Sequence, residues 1–205
     1  MEKTITTQKK TSVQSVRTLT MIAVLSAISF ILAFFEFPVP LSPSFARMDL
    51  SDLPALIGAF AYGPASGVLI ELVKNVLRLF TSATGGIGEL ANFIMGSSFA
   101  AAAGLIYRSH KTKKTAMLAC LAASIVMGIM AAVVNYFLLL PAFEAFMPLD
   151  QLIASFEEFI PFIKTKLDVV LFNAFPFNLL KGIGISIVTM LLYKRLPPIL
   201  KGSQK

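Results

Sequence analysis

The first eighteen residues are polar and basic, with Lys3, Lys9, Lys10 and Arg17. Leu19–Phe35 then runs without a single charge. A membrane-crossing helix needs about 20 predominantly apolar residues, so this run predicts a first span. A cleaved leader fits less well. The run outlasts the usual apolar core of a signal peptide and ends in Phe34-Phe35-Glu36-Phe37-Pro38, with no small-residue cleavage site. Residues 36–52 read as a loop, since Pro38, Pro40 and Pro43 resist helix. Ser51 or Asp52 is placed to cap a following helix, with Pro54 in its first turn. That helix, Leu53–Tyr62, reaches only about 15 Å before Gly63-Pro64 breaks it.

Ala65–Phe80 is the third expected span, followed by a glycine-rich turn over 81–88. The fourth, Glu89–Tyr107, is dense in small residues, from Gly96, Ser97 and Ser98 to Ala103 and Gly104. Small faces let helix backbones approach closely where lipid supplies no hydrophobic drive. A basic loop leads to a fifth span, Thr115–Leu140. In 144–166, Leu152, Ile153, Phe156, Phe159, Ile160 and Ile163 recur at helical spacing opposite Glu157 and Glu158. This predicts a helix lying in the membrane interface, interrupted at Pro161. Leu167–Tyr193 is the sixth span, with a kink expected at Pro176. The chain thus divides into a basic tail (1–18), a six-helix all-α membrane domain (19–195) and a second tail (196–205).

Composition supports this reading. Of the 205 residues, 56 % are hydrophobic and 14 % charged, and the mean hydropathy is +0.78. Soluble domains carry roughly a quarter charged residues. A formal net charge of +7 would suggest nucleic acid in a soluble protein. Here twelve of the eighteen Lys and Arg fall in the N-terminal segment, the 108–114 loop and the C-terminal tail. The acids Glu36, Asp49, Asp52, Glu144, Asp150, Glu157 and Glu158 fall on the opposite side. The positive-inside rule explains the clusters, places both termini in the cytoplasm, and removes the need for a nucleic-acid partner. One Cys and one His, Cys120 and His110, leave no disulfide framework and no expected metal site.

Charges inside a bilayer are costly and mark pairs or cavities. Glu71, Lys74 and Arg78 share a stripe of the third span beside Asn75, and Glu71 with Lys74 can form an internal ion pair. Glu89, Asn92, Asn135, Asn173, Asn178 and Lys181 gather toward the outer half of the bundle. A pore needs polar groups at every depth; a pocket open to one side needs them only there. Phe172, Phe175, Phe177, Tyr136 and Phe137 lie nearby in sequence and could pack a flat ring. Gly85-Gly86-Ile87-Gly88 is too short for a Walker A loop and lacks its Lys-Ser/Thr, so ATP hydrolysis by this chain alone is not expected.

Four stretches in order carry a resemblance: Met48-Asp49-Leu50-Ser51-Asp52-Leu53-Pro54, Gly67 through Asn75 with Glu71 and Lys74, Gly85 through Phe93 with Glu89 and Asn92, and Pro176-Phe177-Asn178-Leu179-Leu180-Lys181-Gly182. Together they resemble the riboflavin-specific substrate-binding subunits, or S components, of energy-coupling factor (ECF) vitamin transporters. The resemblance implies a non-enzymatic bundle that captures riboflavin outside the cell as transported ligand. It implies no cofactor, and partnership with a transmembrane coupling subunit and two ATPases. It also implies a ligand site lined by Glu89, Asn92, Asn135, Asn178 and Lys181 and covered by Met48, Asp49 and Leu50. Ala23 and Ala27 match the family's Ala-x-x-x-Ala pattern, implying contact with the coupling subunit; ordinary internal packing is the other reading. Three alternatives stay open: an S component for another vitamin or nucleobase-like ligand, a membrane-embedded enzyme using Glu71 or Glu89, and a purely structural partner.

Overall fold

The computed structural model describes residues 2–38 and 47–193, with side chains from residue 16 onward. Pro40, Pro43 and the basic residues of the C-terminal tail lie outside the described residues, as do the side chains of Lys3, Lys9 and Lys10. Helix α1 runs Glu2–Leu32. It therefore takes in the basic segment as well as the apolar run, and the expected tail boundary at 18 falls within the helix. Two short strands, β1 (Phe37–Pro38) and β2 (Arg47–Met48), pair antiparallel, with Phe37 opposite Met48.

Helix α2 (Asp52–Tyr62) and helix α3 (Pro64–Arg78) follow, separated by Gly63 alone. Gly63 has φ of 101°, a value that favours glycine, and Pro64 opens α3 with a preset φ. A short 3₁₀ turn, Leu79–Thr81, ends this arm. Helix α4 is Ile87–Ser109. Helix α5 (Lys113–Val134) starts at Thr112, whose hydroxyl accepts from the Thr115 amide. It continues through a widened π turn, Asn135–Leu139, into α6 (Leu140–Glu144).

The amphipathic segment forms α7 (Leu149–Glu157), which buries Leu152 and Phe156 and stops short of Pro161. Helix α8 (Lys166–Val169) passes through a second π turn, Val170–Ala174, into α9 (Phe175–Leu192). Both π turns sit just before a proline, Pro141 or Pro176. A proline ring excludes the carbonyl four residues back, so a local widening is the expected response.

Three stretches among the described residues are long and apolar enough to cross a membrane: Ile87–Ser109, Lys113–Glu144 and Lys166–Leu192. Val16–Leu32 and α2 are shorter apolar helices. With α3, these are compatible with the expected six-span bundle. Large apolar side chains face outward, among them Leu118, Leu121 and Ile129 on α5 and Leu180, Ile187 and Leu191 on α9. Surface of that kind belongs in lipid.

The short α2 is the interior of the protein. Every residue from Asp52 to Ala61 is buried, against α1, α3, α4 and α9. Close approach explains how a bundle fits around it. A Cβ on Gly67 would lie 2.9 Å from Ala59 Cβ, Ala100 Cβ and the Ala55 carbonyl oxygen. Gly104 lies against Pro64 and Gly182 against Ser124 in the same way. Gly67→Val should therefore lower stability by about 1–3 kcal/mol, the ordinary cost of overpacking. Unfolding of the detergent-purified chain checks this, and an unchanged midpoint would contradict the contact.

Candidate ligand site

The ends of α1 and α3, the starts of α2 and α4, and the 47–51 segment meet at one end of the bundle. Arg78 on α3 fastens this end to the end of α1. Its guanidinium pairs with Glu36 at 3.0 Å, donates to the Ala33 carbonyl and lies over the Phe34 ring at 5.6 Å. Arg78 thus shares the stripe of Glu71 and Lys74 in sequence but takes a separate partner.

Below it sits a buried ionic cluster. Of the two candidate caps of α2, Ser51 or Asp52, Ser51 occupies the N-cap position but makes no side-chain cap bond. Instead the Ser51 hydroxyl accepts from Lys74 Nζ at 3.1 Å, and Ser29 on α1 donates to the Ser51 carbonyl. Asp52 is wholly buried and holds two cations. Its Oδ1 is 2.6 Å from Lys74 Nζ, and its Oδ2 is 2.9 Å from Lys181 Nζ. Lys74 also pairs with Glu71 Oε2 at 2.6 Å, the internal ion pair expected from sequence, and donates to Asn92 Oδ1 at 3.2 Å. Lys181 reaches a second carboxylate, Asp49 Oδ2, at 3.5 Å. The other Asp49 oxygen accepts from the Ser51 amide at 2.7 Å, which turns the chain from β2 into α2.

The structure brings together some of the expected site residues and separates others. Asp49, Asn92 and Lys181 join through Asp52 and Lys74. Met48 is half-buried in β2, and half-buried Leu50 packs against the core around Leu53 and Phe60. Glu89 Oε2 accepts from Ser82 Oγ at 2.6 Å and Thr84 Oγ1 at 3.2 Å, so it braces its own glycine-rich turn. Asn135 and Asn178 each donate Nδ2 to their own helix, to Ala131 O at 2.8 Å and Ala174 O at 3.0 Å. That leaves the amide oxygen and the second N–H of each for other partners. Among the aromatics, Phe175 and Phe177 are half-buried, whereas Phe137 is 73 % exposed and Tyr136 and Phe172 are also on the surface.

Sequence reasoning missed Asp52 as the centre of the site. A signal was present: Asp52 is a carboxylate that opens an otherwise apolar helix, and two intramembrane lysines need acidic partners.

Residues 17–193 match the family model described as "ECF transporter, substrate-specific component", and the chain belongs to that family. It is therefore a membrane protein and a transport subunit. The chain is 36 % identical to the riboflavin transporter RibU of Staphylococcus aureus over 194 residues, which is 95 % of this chain and 97 % of that one. It is 33 % identical to the riboflavin transporter FmnP of Bacillus subtilis over 89 % of this chain and 93 % of that one. A solved S component of a bacterial ECF transporter superposes with a TM-score of 0.74 at 36 % identity, covering 91 % of this chain and 99 % of that one. ThiT from Listeria monocytogenes shares the fold, with a TM-score of 0.64 at 16 % identity over 91 % and 98 % of the two chains.

Removing one partner of a buried ion pair strands the other charge and costs about 3–5 kcal/mol. Asp52→Ala removes the carboxylate that both lysines share, leaving Lys74 with Glu71 and Lys181 with only the longer contact to Asp49. A loss of that size in detergent unfolding is expected. A loss within about 1 kcal/mol, as for an exposed pair, would contradict the assignment.

Proposed function

We propose that the chain captures riboflavin at the Asp52 end of the bundle, facing the cell exterior. The observation that carries this reading is the buried ammonium of Lys181. Asp49 and Asp52 occupy two of its three N–H groups among the described residues, and Asn178 stands one turn away. The remaining N–H and the amide oxygens of Asn178 and Asn135 suit a neutral ligand with both acceptor and donor edges. The ring system of riboflavin has carbonyl and N–H groups of this kind, and its ribityl chain adds hydroxyls. Phe175 and Phe177 offer apolar surface for the ring. Two relatives named as riboflavin transporters, alike over nearly the whole chain, support the choice of ligand.

Met48, Asp49 and Leu50 close over the site in this account, and Asp49 ties that segment to Lys181. Opening for ligand exchange then requires the 3.5 Å pair to part. Arg108, Lys111, Lys113 and Lys114 cluster at the opposite end, which supports a cytoplasmic position for that end and for both termini. The energy comes from a transmembrane coupling subunit and two ATPases. Ala23 and Ala27 are exposed on α1, alongside Val24 and Ile28. This favours their role as a smooth stripe for the coupling subunit over internal packing.

Riboflavin fluorescence should be quenched stoichiometrically on titration with the purified chain, and thiamin should not compete. A folded chain that leaves the fluorescence unchanged would overturn the ligand assignment. Lys181→Ala should weaken binding by about 1–3 kcal/mol, the usual effect of losing a buried hydrogen bond. Ala27→Leu should leave that affinity intact and abolish uptake in cells; normal uptake would remove the stripe from the coupling contact.

A further inference from the structure

The ionic cluster carries one carboxylate too many. Asp49, Asp52 and Glu71 face Lys74 and Lys181, and all five are at most 6 % exposed. Among the described residues, no buried cation other than these two lysines joins the cluster. Helix α1 contributes Ser29, α4 contributes Asn92 and Gly96, and α9 adds Asn178. Arg78 is spent on Glu36, and Glu89 is turned to Ser82 and Thr84. An uncompensated charge at this depth is costly.

The excess localises to Glu71. Both Asp52 oxygens meet an ammonium group, and Asp49 is held by the Ser51 amide and Lys181. Glu71 Oε2 takes Lys74 and, at 3.3 Å, Asn75 Nδ2. Its Oε1 is buried with no partner among the described residues, and the Asn75 amide oxygen, one turn along α3, is in the same condition. Helix α4 lets the carboxylate lie directly against its backbone at Gly96. A Cβ on Gly96 would lie 2.5 Å from Glu71 Oε2 and 2.7 Å from its carboxyl carbon. Among the described residues no group of three His, Cys, Asp or Glu is disposed to hold a metal ion. The unfilled charge is single.

We propose that the free Glu71 oxygen and the Asn75 amide oxygen bind one monovalent cation that completes the cluster. A sodium ion and a proton are the two sources of that charge. Either makes the core electrically neutral without disturbing the lysine that the ligand site uses. This reading is independent of the riboflavin assignment, because its test reads stability and needs no vitamin.

The test is the unfolding midpoint of the full chain in detergent, for wild type, Glu71→Gln and Asn75→Ala. One arm exchanges choline chloride for sodium chloride at constant ionic strength and pH. The other raises pH from mildly acid to mildly alkaline in choline chloride. A midpoint that climbs with sodium assigns a sodium ion; one that falls with rising pH and ignores sodium assigns a proton. In both cases Glu71→Gln, a neutral group of the same shape, should hold one midpoint across all the buffers of the arm that moves wild type. Asn75→Ala should shift the half-saturating sodium concentration upward several-fold in the sodium case. A wild type indifferent to both arms overturns the proposal, as does a Glu71→Gln chain that keeps the wild-type dependence. Should Glu71→Gln fail to fold, infrared spectra of wild type decide the proton case by the carbonyl band of a protonated carboxyl. The Asn75→Ala shift decides the sodium case, and absence of both signals overturns it.

Discussion

Asp52 is where the structure is most constrained. Its carboxylate lies inside a membrane protein, wholly buried, with an ammonium group on each oxygen. Neither lysine can be left alone at that depth, because a buried charge without its partner costs several kcal/mol. The pairings therefore fix three helices relative to one another: α2 through Asp52, α3 through Lys74 and α9 through Lys181. This explains why the shortest of the expected spans is the most buried. Helix α2 needs no lipid-facing length, since its task is to carry a carboxylate into the middle of the bundle. Helices α3 and α4 then close around it through Gly67 and Ala100, at distances no larger side chain permits.

The same constraint connects the fold to capture of a substrate. Lys181 is a strong donor held in place by acids rather than left to seek water. Its second acid, Asp49, belongs to the segment that leads from β2 into α2. A contact at 3.5 Å between a loop carboxylate and a helix lysine is the longest ion pair in the cluster, and it lies on the segment proposed to open for ligand exchange. The π turns in the α5–α6 and α8–α9 stretches, placed by Pro141 and Pro176, bring Asn135 and Asn173 into irregular backbone near the same end.

Much of this was legible in the sequence. Predominantly apolar runs marked the spans, Gly63-Pro64 marked the break between α2 and α3, and the spacing of Leu152 and Phe156 marked the buried face of α7. The Glu71–Lys74 pair could be read from i, i+3 spacing, which is local. What could not be read was long-range. Asp52 looked like an ordinary capping residue, because a helix start and a buried ion pair use the same residue types. Sequence places Asn135, Asn178 and Glu89 at ligand depth; the structure adds that both amides donate to their own helices and that Glu89 accepts from Ser82 and Thr84. Sequence is silent on whether an amide turns toward the ligand or back to its own helix.

The central claim is that Asp52 and Lys181 act as one unit in presenting the site. Riboflavin titrations of the wild type, Asp52→Asn, Lys181→Met and the double variant form a thermodynamic cycle that measures it. The account predicts strong non-additivity: with Lys181 gone, removing the Asp52 charge costs almost nothing further in affinity. Losses that simply add would show two independent residues and contradict the account.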